Sequence, residues 1–282
     1  MNRILAIDTS TDIMSLALGA ANADANADAD APGGGTVHAF DGPGGAQASA
    51  ALIPALLQLL AQAAIPLDAV DLIAFGAGPG SFTGLRTACA VAQGLAFGAR
   101  GGRGIAVLPV DSLLAVAEDA RWQLLQQGRL GAPDEPLCMV AALDARMDEV
   151  YAARFAHDGA RWQPQGDFWL GAPEQLVLPA DAWLVGNTMA AYPGRLPASG
   201  RYCAARPSAQ ALLRLAPQCL AQGLALDAAQ ALPRYVRDKV ALTSAERQAG
   251  AAARVAAAQP GPQSGAQPAP QSGPQSTPQS SS

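Results

Sequence analysis

Residues 72–97 constrain the fold more than any other stretch. Four apolar residues, 72–75, run into Gly76-Ala77-Gly78-Pro79-Gly80-Ser81 and then into a helix-period segment, 83–97. A short apolar run bounded by glycine reads as a buried strand, and a fifteen-residue run with apolar side chains three and four apart reads as a helix. A strand that enters a helix through a glycine-rich turn is half of a parallel crossover, which places the chain among α/β folds.

The flanking sequence extends this pattern. Strands are expected at 2–8, 13–19 and 36–40, a helix at 47–64, and the strand and helix just described. There follow a strand at 105–110, a helix from Ser112 to about residue 127 introduced by Asp111, and strands at 137–143, 149–155 and 167–170. A short helix at 173–178, a strand at 182–185 and a helix at 207–222 complete the series. Pro207 at the start and Gly223 after the end suit the last helix. Three strands lead each half, which suggests an internal duplication with a boundary near Pro109. The expected organisation is 1–108, 109–206 and a C-terminal helix and extension, 207–243. Two segments lack apolar periodicity. Residues 20–35 alternate Ala, Asn and Asp and read as a flexible insertion. Residues 244–282, ending in a Pro-Gln-Ser repeat, read as a disordered tail.

Composition removes several function classes. The net charge is −5 and aromatics are 5% of residues, so neither a phosphate-gripping surface nor a base-stacking platform is expected. The local exception is a basic strip, Arg195, Arg201 and Arg206. No apolar run reaches the ~18–20 residues of a membrane span, and the N-terminal residues lack a signal-peptide pattern. Cys89, Cys138, Cys203 and Cys219 are scattered without a C-x-x-C pair, as in reduced core thiols. Together these imply a cytoplasmic chain with no membrane contact. His38 and His157 lie on unrelated predicted strands, and no metal site is expected.

Two stretches could carry chemistry. The turn from Gly76 to Arg86 presents backbone N–H groups at a helix N-terminus, with Ser81 or Thr83 as cap and Arg86 one turn in. It is either a phosphate cradle built on Gly78, Gly80 and Gly84 or a tight turn whose glycines permit close packing. It is not a P-loop, since no Gly-Lys-Ser/Thr follows, and it lacks the spacing of a dinucleotide fingerprint. Asp8-Thr9-Ser10-Thr11 ends the first strand, either as a phosphate- or metal-facing turn or as a solvated Asx turn. Asp144, Arg146, Asp148 and Glu149 crowd a predicted hairpin. Two helices are apolar over wide arcs: Leu52, Leu56, Leu59, Leu60 and Ala63 on the first, and Gly84, Ala88, Val91, Ala92 and Leu95 on the second. Both arcs serve either the core or a partner helix pair.

The segments ILAIDTST, GAGPGSFTGLRTACAVAQGLAFG, ALDARMDEVYAARF and LPRYVRDKVAL occur in this order between residue 1 and about residue 243. Together they resemble the TsaB (YeaZ) family of bacterial tRNA threonylcarbamoyladenosine synthesis. The resemblance implies an actin/sugar-kinase/Hsp70-like (ASKHA) fold of two related α/β domains with mixed sheets. It implies a non-catalytic paralogue of TsaD that pairs with TsaD through the first two helices, with Leu52, Leu56, Leu59, Ala88, Val91, Ala92 and Leu95 as interface candidates. A small ATPase, TsaE, joins the complex, and tRNA is met through it. The catalytic sibling has an H-x-x-x-H metal pair at the start of its first helix, whereas residues 47–54 here hold no histidine. The implied phosphate-loop candidates are Asp8, Thr9, Ser10, Gly78, Gly80, Ser81, Thr83, Gly84 and Arg86. No cofactor is expected to be tightly bound, and ATP or ADP belongs, if anywhere, to a pocket shared with the partner. The rival readings are a stand-alone kinase of the same fold, using Asp8 and Asp144, and a homodimeric binding module.

Overall fold

A strand whose side chains alternate between two covered faces is apolar at nearly every position. β1 (Arg3–Asp8) shows this: Ile4 and Ala6 enter one core, Leu5 and Ile7 another. The protein, described by a computed structural model over residues 3–20, 36–132, 134–198 and 200–236, is built around two such sheets. β2 (Ile13–Ala20) and β3 (His38–Pro43) extend β1 as an antiparallel meander. After α1 (Ala48–Gln62), β4 (Leu72–Gly78) pairs parallel with β1. After α2 (Phe82–Gly98), β5 (Ala106–Asp111) pairs parallel with β4. The sheet order is β3-β2-β1-β4-β5.

α3 (Ser112–Gln126) leads to the second sheet. Its strands are β6 (Leu137–Arg146), β7 (Glu149–His157), β8 (Trp162–Pro164), β9 (Trp169–Gly171) and β10 (Trp183–Gly186). α4 (Thr188–Ala191), β11 (Tyr202–Ala204) and α5 (Ala209–Ala221) complete the order. β6, β7 and β8 form an antiparallel meander, and β10 and β11 continue from β6 in parallel. The order β8-β7-β6-β10-β11 thus repeats the first sheet strand for strand, the duplication expected from the sequence rhythm, with β9 pairing to β7 off this path.

α3 and α5 lie between the sheets. Leu113, Val116 and Leu124 of α3 and Leu212, Leu215 and Ala216 of α5 share one core with Ile4, Ala74 and Leu108 of the first sheet and Met139, Leu143 and Phe155 of the second. α1 and α2 cover the opposite face of the first sheet. The helix starts are set by side-chain caps. Asp111 Oδ1 accepts from the Leu113 and Leu114 amides at 2.8 and 3.0 Å, and Ser208 Oγ from the Ala211 amide at 3.2 Å.

Several sequence boundaries are corrected. The third strand is 38–43 rather than 36–40. β4 runs through Gly76 and Gly78, which pair with Val110 and Asp111, so the expected loop is half strand. Ala20 belongs to β2, and α5 begins after Ser208 rather than at Pro207. β8, β11 and α4 were not anticipated; at three or four residues they are too short to show a period. The remainder of the 20–35 insertion and the 244–282 tail lie outside the described residues. All four cysteines are free, three of them buried, and burial pushes their thiol pKa values up, Cys219 to about 11.

Candidate functional site

The parallel strands β1, β4 and β5 end together, at the edge where open α/β sheets hold ligands. Asp8 closes β1 and is fully buried. Its Oδ1 accepts from the Ser10 amide at 2.9 Å and the Ser10 hydroxyl at 2.7 Å, while Oδ2 has no hydrogen-bond partner. Gly76 lies beside it on β4 because any side-chain carbon there would overlap Oδ2. Burial outweighs the two bonds from Ser10 and the Arg206 charge and raises the Asp8 pKa to about 6. Asp111, at the end of β5, is also raised to about 6 by burial, against its two capping amides and an Arg234 guanidinium 3.6 Å away.

The glycine turn is filled by the chain itself. A Cβ on Gly80 would lie 2.6 Å from the Ser10 carbonyl oxygen, and one on Gly84 would overlap the Thr9 carbonyl. Thr9 Oγ1 donates to the Gly84 carbonyl at 2.6 Å, and the Ser81 amide to the Ser10 carbonyl at 2.7 Å. Ser81 Oγ caps α2 by accepting from the Gly84 amide at 3.4 Å. The structure therefore brings Thr9, Ser10, Gly80, Ser81 and Gly84 together, and Gly80 and Gly84 serve close backbone approach there. Thr9 and Ser10 are buried beneath the turn; Ser81, Thr83 and Arg86 are exposed.

A strap of residues 228–236, part of the extension expected at 207–243 to pack back on the core, closes the other side. The Arg234 amide donates to the Ala77 carbonyl at 2.6 Å, and a Cβ on Gly78 would lie 2.5 Å from the Arg234 carbonyl oxygen. Gln93 Nε2 donates to the Ala228 and Ala231 carbonyls at 3.0 and 3.1 Å. Arg86 stacks on Phe82 at 3.8 Å and donates from Nε to the Tyr235 hydroxyl at 2.8 Å. Leu-Pro-Arg-Tyr, the start of the last family-like segment, lies in this strap, and its contacts with the glycine turn were not legible in the sequence.

The helix arcs separate into two faces. Leu52, Leu56, Leu59, Ala88 and Ala92 are wholly or almost wholly buried against the first sheet, with Val91 and Leu95 packed at the margin. The expected interface residues are thus core, because covering a sheet requires the longest leucine stripe. The outer arc of the same helices is also apolar: Ile53, Leu57 and Phe97 are 48, 54 and 53% exposed. Ala50 on α1 and Ala90 and Gly94 on α2 are exposed beside them.

Comparisons with known proteins fit this architecture. A family model described as "TsaD: tRNA N6-adenosine threonylcarbamoyltransferase" matches residues 45–245. The Escherichia coli "tRNA threonylcarbamoyladenosine biosynthesis protein TsaB" is 30% identical over 255 residues, covering 85% of this chain and 96% of that protein. Its namesake from Haemophilus influenzae is 34% identical over 204 residues, covering 67% and 79%. The chain belongs to the TsaB (YeaZ) family. The structure of YeaZ from Pseudomonas aeruginosa matches with a TM-score of 0.68 at 33% identity, covering 84% of this chain and all of that one. The fold is accordingly ASKHA-like, with the same strand order in both sheets.

Other candidate groups are not brought to the TsaB-family sheet edge. Asp144 sits at the β6–β7 turn, where its Oδ1 accepts from the Tyr192 hydroxyl and the Arg146 amide at 2.7 and 2.8 Å. Its neighbour Asp148 pairs with Arg195, which also pairs with Glu174. Arg206 pairs with Asp41 at 2.6 Å, so Arg195 and Arg206 of the expected basic strip both face carboxylates. His38 and His157 lie on separate sheets, and no cluster of three or more metal-ligating side chains occurs among the described residues. No helix among them is long and apolar enough to cross a membrane.

Proposed function

We propose that this chain is the non-catalytic subunit of a tRNA threonylcarbamoyladenosine synthesis complex, docking a TsaD-type partner on the outer arcs of α1 and α2. Its relatives' names support the pathway. The docking surface rests on one observation: Ile53, Leu57 and Phe97 stay about half exposed on an adjacent helix pair whose opposite faces are already spent on the core. Large apolar and aromatic side chains grouped this way are characteristic of an interface. The small residues Ala90 and Gly94 let a second helix pair approach closely. TsaD supplies the transfer to adenosine in tRNA, the TsaE-type ATPase joins that complex, and cytoplasmic residence follows from the reaction. With Thr9, Ser10 and Arg234 filling the glycine turn, ATP or ADP at a shared surface meets the exposed Ser81, Thr83 and Arg86 instead.

The test is an omission assay with TsaD, TsaE, the threonylcarbamoyl-adenylate synthase, ATP, threonine, bicarbonate and tRNA, read by nucleoside mass spectrometry. Modified adenosine should form only with this chain present. Leu57→Asp and Phe97→Asp should each lower formation at least about tenfold, the effect of losing one anchoring side chain, with little change in melting temperature. Equal modification without the chain would overturn the proposal. A dimer of the chain that persists beside equimolar TsaD would assign the same face to self-association.

A further inference from the structure

The outer face of α1 and α2 is almost without charge. α1 has no charged side chain, and α2 has one, Arg86. Arg86 is exposed, and Ala90, Gly94 and Phe97 follow it at spacings of four, four and three along the same exposed arc. A helix seated on Ala90 and Gly94 therefore passes within about one turn, or ~6 Å along the axis, of the Arg86 backbone. Covering an arginine that finds no counter-charge is costly, so whatever docks here must either avoid that end of the arc or answer the charge.

Arg86 is held in place rather than free to swing aside. Its guanidinium stacks on Phe82, one turn earlier on α2, at 3.8 Å. Its Nε donates to the Tyr235 hydroxyl of the strap at 2.8 Å, and the Tyr235 ring packs on that of Phe82 at 5.3 Å. No carboxylate is among its described partners. The neighbouring strap cation, Arg234, is turned to Asp111 and the Phe168 ring instead. α2 does not answer the charge either, since its first turn holds no acidic residue and the N-terminal end of its dipole has the same sign. With Nε and one ring face taken, the two Nη groups remain, and that end of a guanidinium can grip a carboxylate with two parallel hydrogen bonds. Fixing the side chain in advance removes part of the rotamer entropy that such a pair costs. Charge complementarity then chooses the occupant. A second copy of this chain would set the same two helices, which carry no acid, against Arg86. A different helix pair with one carboxylate at the matching level completes it.

We propose that Arg86, positioned by Phe82 and Tyr235, is the charged anchor of this face and takes one Asp or Glu carboxylate from a helix of the TsaD-type partner. The inference rests on the docking reading given above. The affinity of the full chain for TsaD is measured by calorimetry without nucleotide, so that no phosphate stands in for the carboxylate. Arg86→Glu should weaken pairing at least about tenfold, with the melting temperature of the lone chain nearly unchanged. Arg86→Lys, which keeps the charge but loses the planar fork, should weaken it several-fold, and Tyr235→Phe, which keeps the ring but releases Nε, by less. Each acidic residue on the facing helices of the partner is then replaced by lysine in turn. One of these replacements should weaken pairing with the parent chain and restore pairing with Arg86→Glu. Restoration by none of them overturns the proposal. So does a large fall in melting temperature with Arg86→Glu and Arg86→Lys, which would mean that the cation is satisfied within the chain. An Arg86 effect that appears only after ATP or ADP is added would give the fork to a phosphate, and a dimer of this chain that persists beside equimolar TsaD would give the face to a second copy; either result overturns the proposal. Leu57→Asp and Phe97→Asp tell the two readings apart. If they leave pairing intact, the docking surface fails and the anchor with it; if they abolish pairing while Arg86→Glu does not weaken it, the anchor alone fails.

Discussion

Gly84→Ala is expected to destabilise the chain by about 3 kcal/mol or more, opposite in sign to the same change in an ordinary helix interior. Gly84 is the third residue of α2, where alanine normally gains up to about 1 kcal/mol through helix propensity. Here the added carbon would overlap the backbone carbonyl of Thr9. No rotamer change relieves a clash with backbone, so α2 must back away from the end of β1. That movement breaks the Thr9–Gly84 bond at 2.6 Å and the Ser81–Ser10 bond at 2.7 Å, both across the turn. Gly94, ten residues further along the same helix, is the internal control: nothing lies within 4 Å of its Cβ position. Gly94→Ala should therefore raise stability by up to about 1 kcal/mol. Urea unfolding of the two variants at pH 7 decides the matter. If both change stability equally, the glycine turn is not a packing device and the cradle reading returns.

The same turn shows where sequence reasoning ends. β1, α1, β4, α2 and α5 were legible because each presents an apolar period to a sheet or carries one on both faces. The ambiguity of Gly78, Gly80 and Gly84 was also legible, since glycine admits a ligand and a neighbouring backbone equally well. What fills the space was not legible. Thr9 and Ser10 lie some seventy residues earlier in the chain and Arg234 about one hundred and fifty residues later, and no local pattern encodes that meeting. The helix arcs failed differently. Leu52, Leu56 and Leu59 share α1 with Ile53 and Leu57, so hydrophobicity alone cannot say which arc faces the sheet. The buried Glu118 carboxylate combines both cases: Arg121 lies three residues along the same helix, but Trp162 and Arg214 join the two only through the fold.

Asp8→Asn should stabilise the chain at neutral pH and flatten its stability profile between about pH 4 and 6. The folded chain raises the Asp8 pKa from 3.8 to about 6, so it binds a proton that the unfolded chain has already released. Below pH 3.8 both states are protonated and the carboxyl costs nothing. As pH rises towards 6 the native state loses stability relative to the unfolded one, and above 6 the loss is complete. It amounts to about 3 kcal/mol for this group. Asparagine keeps an oxygen to accept from Ser10 and removes the charge. Its amide, however, takes the place of the partnerless Oδ2, and an unmet buried donor returns about 1–3 kcal/mol. A net gain of up to about 2 kcal/mol at pH 7.5 is therefore expected, vanishing or reversing by pH 4. On a domain of this size that is a rise of a few degrees in melting temperature at the higher pH. Asp111, raised to about 6 in the same way, contributes equally to both proteins and cancels in the difference. Unfolding of the two proteins from pH 4 to 8 provides the comparison. A difference between them that stays constant across the range would mean that Asp8 titrates normally. A difference that grows in favour of Asp8→Asn would mean that the chain holds a carboxylate at this sheet edge against its own stability, as functional positions do.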